Sequence, residues 1–130
     1  MLKKTMTYVD FNGDERTEEF YFNLTQAELM EMEMGTTGGW AERMQQIVNA
    51  KDLPLLAKVF KEIILKAYGE KSPDGRRLVK SAALSEAFSQ TNAYSDLFIE
   101  LLSKENAATE FIQGLMPKMD NVNAPSTEVK

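Results

Sequence analysis

The side chains in this sequence that could do chemistry are carboxylates, hydroxyls and thioethers: 20 residues are Asp or Glu, and there is no cysteine or histidine. That absence excludes disulfides, zinc sites built on thiolate or imidazole, Cys–His nucleophiles and Ser–His–Asp triads. Carboxylates remain able to bind calcium or to act as an acid and base pair. Asp10, Asn12 and Asp14 alternate like the first ligands of a calcium loop. Such a loop requires glycine at its sixth place and a bidentate glutamate at its twelfth, where Glu15 and Tyr21 stand. A hairpin turn is the better reading. Glu18-Glu19 and Glu28, Glu31 and Glu33 would have to converge in a cleft with separated pKa values to catalyse hydrolysis. An alternating strand and an amphipathic helix instead turn them to solvent. No GxxxxGK[ST] or GxGxxG is present, and Gly35 to Gly39 does not follow a strand. No catalytic residue, cofactor site or metal ligand is assigned, and the chain reads as a non-enzymatic protein.

The charge is unevenly distributed. The net value is −5; by segment, residues 25–50 carry −3 and 81–117 carry −4, whereas 51–80 carry +4. Within that basic stretch Lys71, Arg76, Arg77 and Lys80 flank Ser72-Pro73-Asp74-Gly75. They read as a solvated turn, with a docking patch for an acidic partner as the other reading. The acidic remainder argues against nucleic acid, whose phosphates are bound mainly by clustered cations. No apolar run approaches the ~20 residues that span a bilayer, and Met1 to Phe11 has no apolar signal core. The cytoplasm is the expected compartment.

The elements follow from periodicity and caps. Thr5, Thr7, Tyr8 and Val9 before Asn12-Gly13, and Phe20-Tyr21-Phe22 after it, predict a β-hairpin over 3–23. Phe20 and Phe22 should face one way and Tyr21 the other, with Asn-Gly supplying positive φ for a tight reversal. Thr25-Gln26-Ala27-Glu28 is a capping box that should open a helix ending at Gly35. A second helix is expected from Trp40, with Met44, Ile47 and Val48 on its stripe. A third runs from about Pro54 to Tyr68, capped by Asp52 and closed by a left-handed Gly69. An exposed loop is expected over Glu70 to Lys80. Further stripes are Leu84, Ala87 and Phe88, then Tyr94, Leu97, Phe98, Leu101 and Leu102, then Ala107, Ala108, Phe111, Ile112 and Leu115. Pro117 ends the last. The expected fold is α+β, mostly α: an N-terminal hairpin, then five to six helices over 25–117, one domain over 1–117, and a flexible, disordered tail over 118–130.

The stretch from Thr7-Tyr8-Val9-Asp10-Phe11-Asn12-Gly13-Asp14 through Phe20-Tyr21-Phe22-Asn23-Leu24-Thr25 resembles the start of tail assembly chaperones from long, non-contractile-tailed phages of Gram-positive bacteria. Phe60 to Gly69 leading into Glu70 to Arg77, and Phe88-Ser89-Gln90-Thr91-Asn92-Ala93-Tyr94, are similar to the same family. The resemblance implies an assembly factor of the host cell cytoplasm. It would coat the tape measure protein, help recruit tail tube subunits, and be absent from the mature virion. It also implies that a ribosomal frameshift can make a longer product, joined beyond Lys118. Self-association would suit a coat-forming role. The alternative is a small structural tail or connector protein retained in the virion. For the client surface the candidates are Met30, Met32, Met34 and Trp40. Methionines adapt to several partners, a spacing of two spreads them around a helix, and the adjacent glycine loop lets two helices adjust.

Overall fold

Strand β1 (Leu2–Val9) pairs antiparallel with β2 (Glu15–Phe22) in one unbroken register, from Leu2 opposite Phe22 to Val9 opposite Glu15. These coordinates come from a computed structural model that describes residues 1–104 and 106–115. The expectations for Pro117 and for the tail over 118–130 lie outside the described residues. Alternation puts Met6, Tyr8, Phe20 and Phe22 on a buried face. Lys3, Thr5, Thr7, Glu15, Thr17 and Glu19 take the other face, where the hydroxyls of Thr7 and Thr17 lie 2.9 Å apart.

The reversal differs from the expected tight Asn-Gly turn. Gly13 alone has positive φ, at 85°. Asp10 N donates to Asp14 O at 2.9 Å and Gly13 N to Asp10 O at 3.0 Å, the pattern of a longer loop closed by one left-handed glycine. Asp10 is the cause: its carboxylate accepts from the amides of Asn12 and Asp14 and from Arg16 Nε at 2.6 Å. The Arg16 bond, reinforced by the Asp14 amide, holds its carboxyl below the ordinary value.

Helices follow as α1 (Gln26–Gly35), α2 (Trp40–Ala50) and α3 (Leu53–Ala67), then strands β3 (Tyr68–Lys71) and β4 (Leu78–Val79), then α4 (Ala82–Ser89), α5 (Asn92–Ser103) and α6 (Ala107–Leu115). Thr25 and Glu28 form the complete reciprocal capping box, and Asp52 caps α3 through Leu55 N at 3.3 Å. Ser81 and Thr91 cap α4 and α5 in the same way. On α4 Phe88 is buried, but Ala87, expected on its stripe, is exposed.

The loop expected over Glu70 to Lys80 is a second hairpin. Tyr68 leaves α3 in extended conformation, and β3 pairs with β2 through Tyr21 opposite Gly69 and Phe22 opposite Tyr68. The sheet order is β1-β2-β3-β4, and each recorded pairing is antiparallel. Only the turn between β3 and β4 is the exposed loop that was expected. It is organised by Ser72 and Asp74, whose side chains bond each other at 2.7 Å and accept from the amides of Arg77 and Arg76. Gly69 is therefore not a left-handed helix stop. A Cβ there would fall 2.7 Å from Leu78 Cγ and 2.9 Å from Val79 O, so glycine is required by the close approach of β4.

The core lies between the sheet and α3 to α6, and Trp40 and Ile47 of α2 join it. Phe22, with no exposure, meets the rings of Tyr68, Phe88 and Phe111 at centroid distances of 5.9, 5.8 and 5.3 Å. Tyr68 stacks on Phe88 at 4.2 Å. Backbone bonds from Asn23 N to Ala67 O and from Leu24 N to Leu115 O seat the ends of α3 and α6 against the end of β2.

Gly69→Ala is expected to destabilise the protein by about 1–3 kcal/mol through overpacking. Gly35→Ala, where a Cβ meets no atom within 4 Å, should be neutral or mildly stabilising. Urea unfolding midpoints of the two variants check this, and equal midpoints would contradict it.

Candidate functional site

Helix α1 is unusual here because it contains no buried residue. Its apolar side chains divide between two directions. Met30 and Met34, one turn apart, are 65% and 77% exposed. Leu29 and Met32 are partly buried against the core. Met32 joins Trp40, Met44, Val59 and Ile63 in lining a cleft of about 280 Å³ between α1, α2 and α3, with Glu62 and Lys66 also in its wall. Trp40 is only 8% exposed. Trp40 and Met44 also line a second cleft, of about 250 Å³, with Val48 of α2 and Ile112 of α6. The four candidate residues thus form a pair and a wall: Met30 and Met34 outward, Met32 and Trp40 inside the cleft.

Polar links hold this region in place. Lys80 Nζ donates to Asn23 O at 2.6 Å and to both carboxylate oxygens of Glu28 at 2.9 Å. Glu28 also accepts from Thr25 N at 2.9 Å, so one carboxylate closes the capping box and anchors α1 to the residue that follows β4. Burial alone would raise the Glu28 carboxyl, but the bonds from Lys80 and Thr25 outweigh it and hold the group below its ordinary value. A second link joins α1 to α2. Gly39, the residue before α2, has no side chain with which to cap, and Glu33 accepts from Ala41 N at 3.0 Å in its place.

Neither link is legible in the sequence, where Lys80 stands among the turn cations and Glu33 among carboxylates that an amphipathic helix turns to solvent. The only signal for Glu33 was a helix start preceded by glycines with no capping side chain. The basic cluster is dispersed as well: Lys71 lies 5.3 Å from the centre of the Tyr21 ring, Arg76 and Arg77 sit in the exposed turn, and Lys80 is in the α1 anchor.

Glu18 and Glu19 lie on opposite faces of the sheet. Glu18 accepts the Tyr8 hydroxyl at 2.5 Å on the inner face, while Glu19 lies 3.4 Å from Lys3 on the outer face. That bond to Glu18, with burial, raises the Tyr8 phenol above its ordinary value. The clefts and exposed thioethers of this region offer apolar contact and adaptable side chains.

The sequence model of a family described as phage tail assembly chaperone matches residues 1–126. No curated protein and no solved structure matches the chain.

A carboxyl whose pKa is lower folded than unfolded stabilises the fold above its unfolded value, and that contribution is lost as pH falls through the folded value. Wild type should therefore lose more stability than Glu28→Gln between about pH 5 and pH 3. Near neutrality Glu28→Gln and Lys80→Met should each cost about 1 kcal/mol. Urea midpoints across that range check both, and parallel pH profiles for wild type and Glu28→Gln would refute the assignment.

Proposed function

The chain belongs to the phage tail assembly chaperone family, and from that premise we propose that it binds the tape measure protein in the host cytoplasm and helps recruit tail tube subunits around it. It then leaves before the virion is complete. The observation that carries this reading is the pair of exposed thioethers, Met30 and Met34, on a helix with no buried residue. Exposed methionines on a helix secured mainly at its ends suit a client whose surface varies along its length. Met32 and Trp40 in the adjoining cleft extend that surface inward. Many copies, each bound weakly, would coat a long client through multivalency. A frameshifted longer product would carry its extension beyond Lys118 and bring the tube subunit to the same complex. The role requires no reaction chemistry. No described helix is long and apolar enough to cross a membrane.

Co-expression with the tape measure protein of the same gene cluster tests the proposal. A tape measure that is insoluble alone and co-purifies in soluble form with this chain supports it. Indifference between the two, together with detection of this chain in purified virions by mass spectrometry, would replace the chaperone role with that of a structural tail or connector protein. Within the complex, Met30→Lys with Met34→Lys should weaken client binding by about tenfold or more. The melting temperature should barely move, because both side chains already stand in solvent.

A further inference from the structure

The turn that joins β1 to β2 displays the most exposed large apolar side chain among the described residues, Phe11, at 80%. So little of the ring is covered that it adds almost nothing to the core. The backbone beneath it is fixed from both sides. Asp10 O accepts from Gly13 N at 3.0 Å and Asp10 N donates to Asp14 O at 2.9 Å, while the Asp10 carboxylate accepts from Asn12 N, Asp14 N and Arg16 Nε. Asn92 Nδ2, at the start of α5, donates to Val9 O at 2.8 Å and ties the turn to the helical layer. Exposed loop tips are usually mobile and built of small or polar residues, whereas this one holds a bare aromatic ring on a braced backbone. Such a ring loses little conformational freedom when it is covered, the property of an interface anchor. Carboxylates surround it. Asp14 and Glu15 are exposed and have no ion-pair partner among the described residues, and Arg16 is already engaged by Asp10 at 2.6 Å and Glu18 at 3.5 Å.

We propose that Phe11 is an anchor for the client, inserting between apolar side chains of a client segment whose flanking lysines or arginines meet Asp14 and Glu15. The inference rests on the client reading and adds to it a second contact of stated chemistry: a basic segment with an apolar face. Charge selects that occupant, since an acidic segment or the phosphates of a nucleic acid would be set against two unpaired carboxylates. Val9, 52% exposed beside the tip, widens the apolar ground that the client covers. The contact is separate from that of Met30 and Met34. The eight residues of β2 carry the chain roughly 25 Å from the tip to the residues that precede α1. A client touched at both ends of β2 is held bivalently, so two weak contacts combine through a high effective concentration.

The experiment is competitive loading of the client. Wild type and Phe11→Ser, carrying different tags, are co-expressed with the tape measure protein, and the share of each in the soluble complex is counted by mass spectrometry. Phe11→Ser is expected to be under-represented by roughly thirtyfold, with an unchanged thermal melt because the ring already stands in solvent. Phe11→Leu, which keeps an apolar anchor, should load far more nearly as wild type does, and Asp14→Lys with Glu15→Lys should load about tenfold less. Replacing Phe11 with the photo-cross-linker benzoylphenylalanine then identifies the occupant, expected to be a basic segment of the tape measure protein. Equal loading of wild type and Phe11→Ser in a complex that does form overturns the anchor and leaves the client reading standing. Absence of any soluble complex removes both. Cross-links from position 11 only to an acidic client segment, to a tube subunit or to another copy of the chain also overturn the proposal.

Discussion

A hairpin with one apolar face cannot stand alone in water, and the way this face is covered organises the rest of the chain. Phe22 is the point of convergence. Its neighbours Tyr68, Phe88 and Phe111 come from β3, α4 and α6, three elements far apart in sequence. Each brings its own element into place: Tyr68 directs the chain from α3 straight into the sheet, Phe88 fixes α4 across it, and Phe111 carries α6 back to the end of β2. The aromatic cluster therefore explains why the second hairpin exists. Once Tyr68 must lie beside Phe22, the backbone of Gly69 falls next to Tyr21, and pairing with β2 satisfies groups that would otherwise be buried without partners.

Helices α1 and α2 are held on other terms. Trp40 and Ile47 are buried, but α1 contributes no buried residue, and clefts flank Trp40 and Met44 on both sides. What positions α1 is largely polar: the Lys80–Glu28 anchor at its start and Glu33 on the amide of Ala41 near its end. Polar anchors of this kind contribute little per contact and fix orientation more than they add stability. A region with few buried apolar contacts is one that opens at low cost relative to the whole fold, and that property suits a surface that must adjust to a partner.

Where a signal was local, the sequence was legible. Alternation over Thr5 to Val9 and Phe20 to Phe22 located the first hairpin, and the Thr25 box and Asp52 located two helix starts, because each rests on neighbours a few residues apart. The second hairpin was not legible. Strands of four and two residues carry no usable period, and Ser72-Pro73-Asp74-Gly75 marks a turn without saying what it joins. Gly69 shows the ambiguity in one residue: glycine serves both positive φ and close approach, and only the position of Leu78 and Val79 tells which. The Lys80–Glu28 pair spans 52 residues and depends on the finished sheet. Among the candidate contact residues, the spacing of the methionines correctly implied that they could not share one face. Trp40 lies in the wall of a cleft because the helix it begins packs there, a placement that residue type alone does not reveal.

The strand order has a consequence for how the two exposed features can be used. Strands β1 and β4 lie at opposite edges of the sheet, and α1 is tied through Glu28 to Lys80, the residue after β4. The open strand edge and the anchor of the methionine-bearing helix are thereby separated by the width of the sheet. The outward amides and carbonyls of β1 and the exposed methionines of α1 are therefore separate groups on separate margins. Coupling between them would have to pass through the aromatic core, whose close packing resists small adjustments. The fold thus joins a rigid aromatic centre to two separate margins.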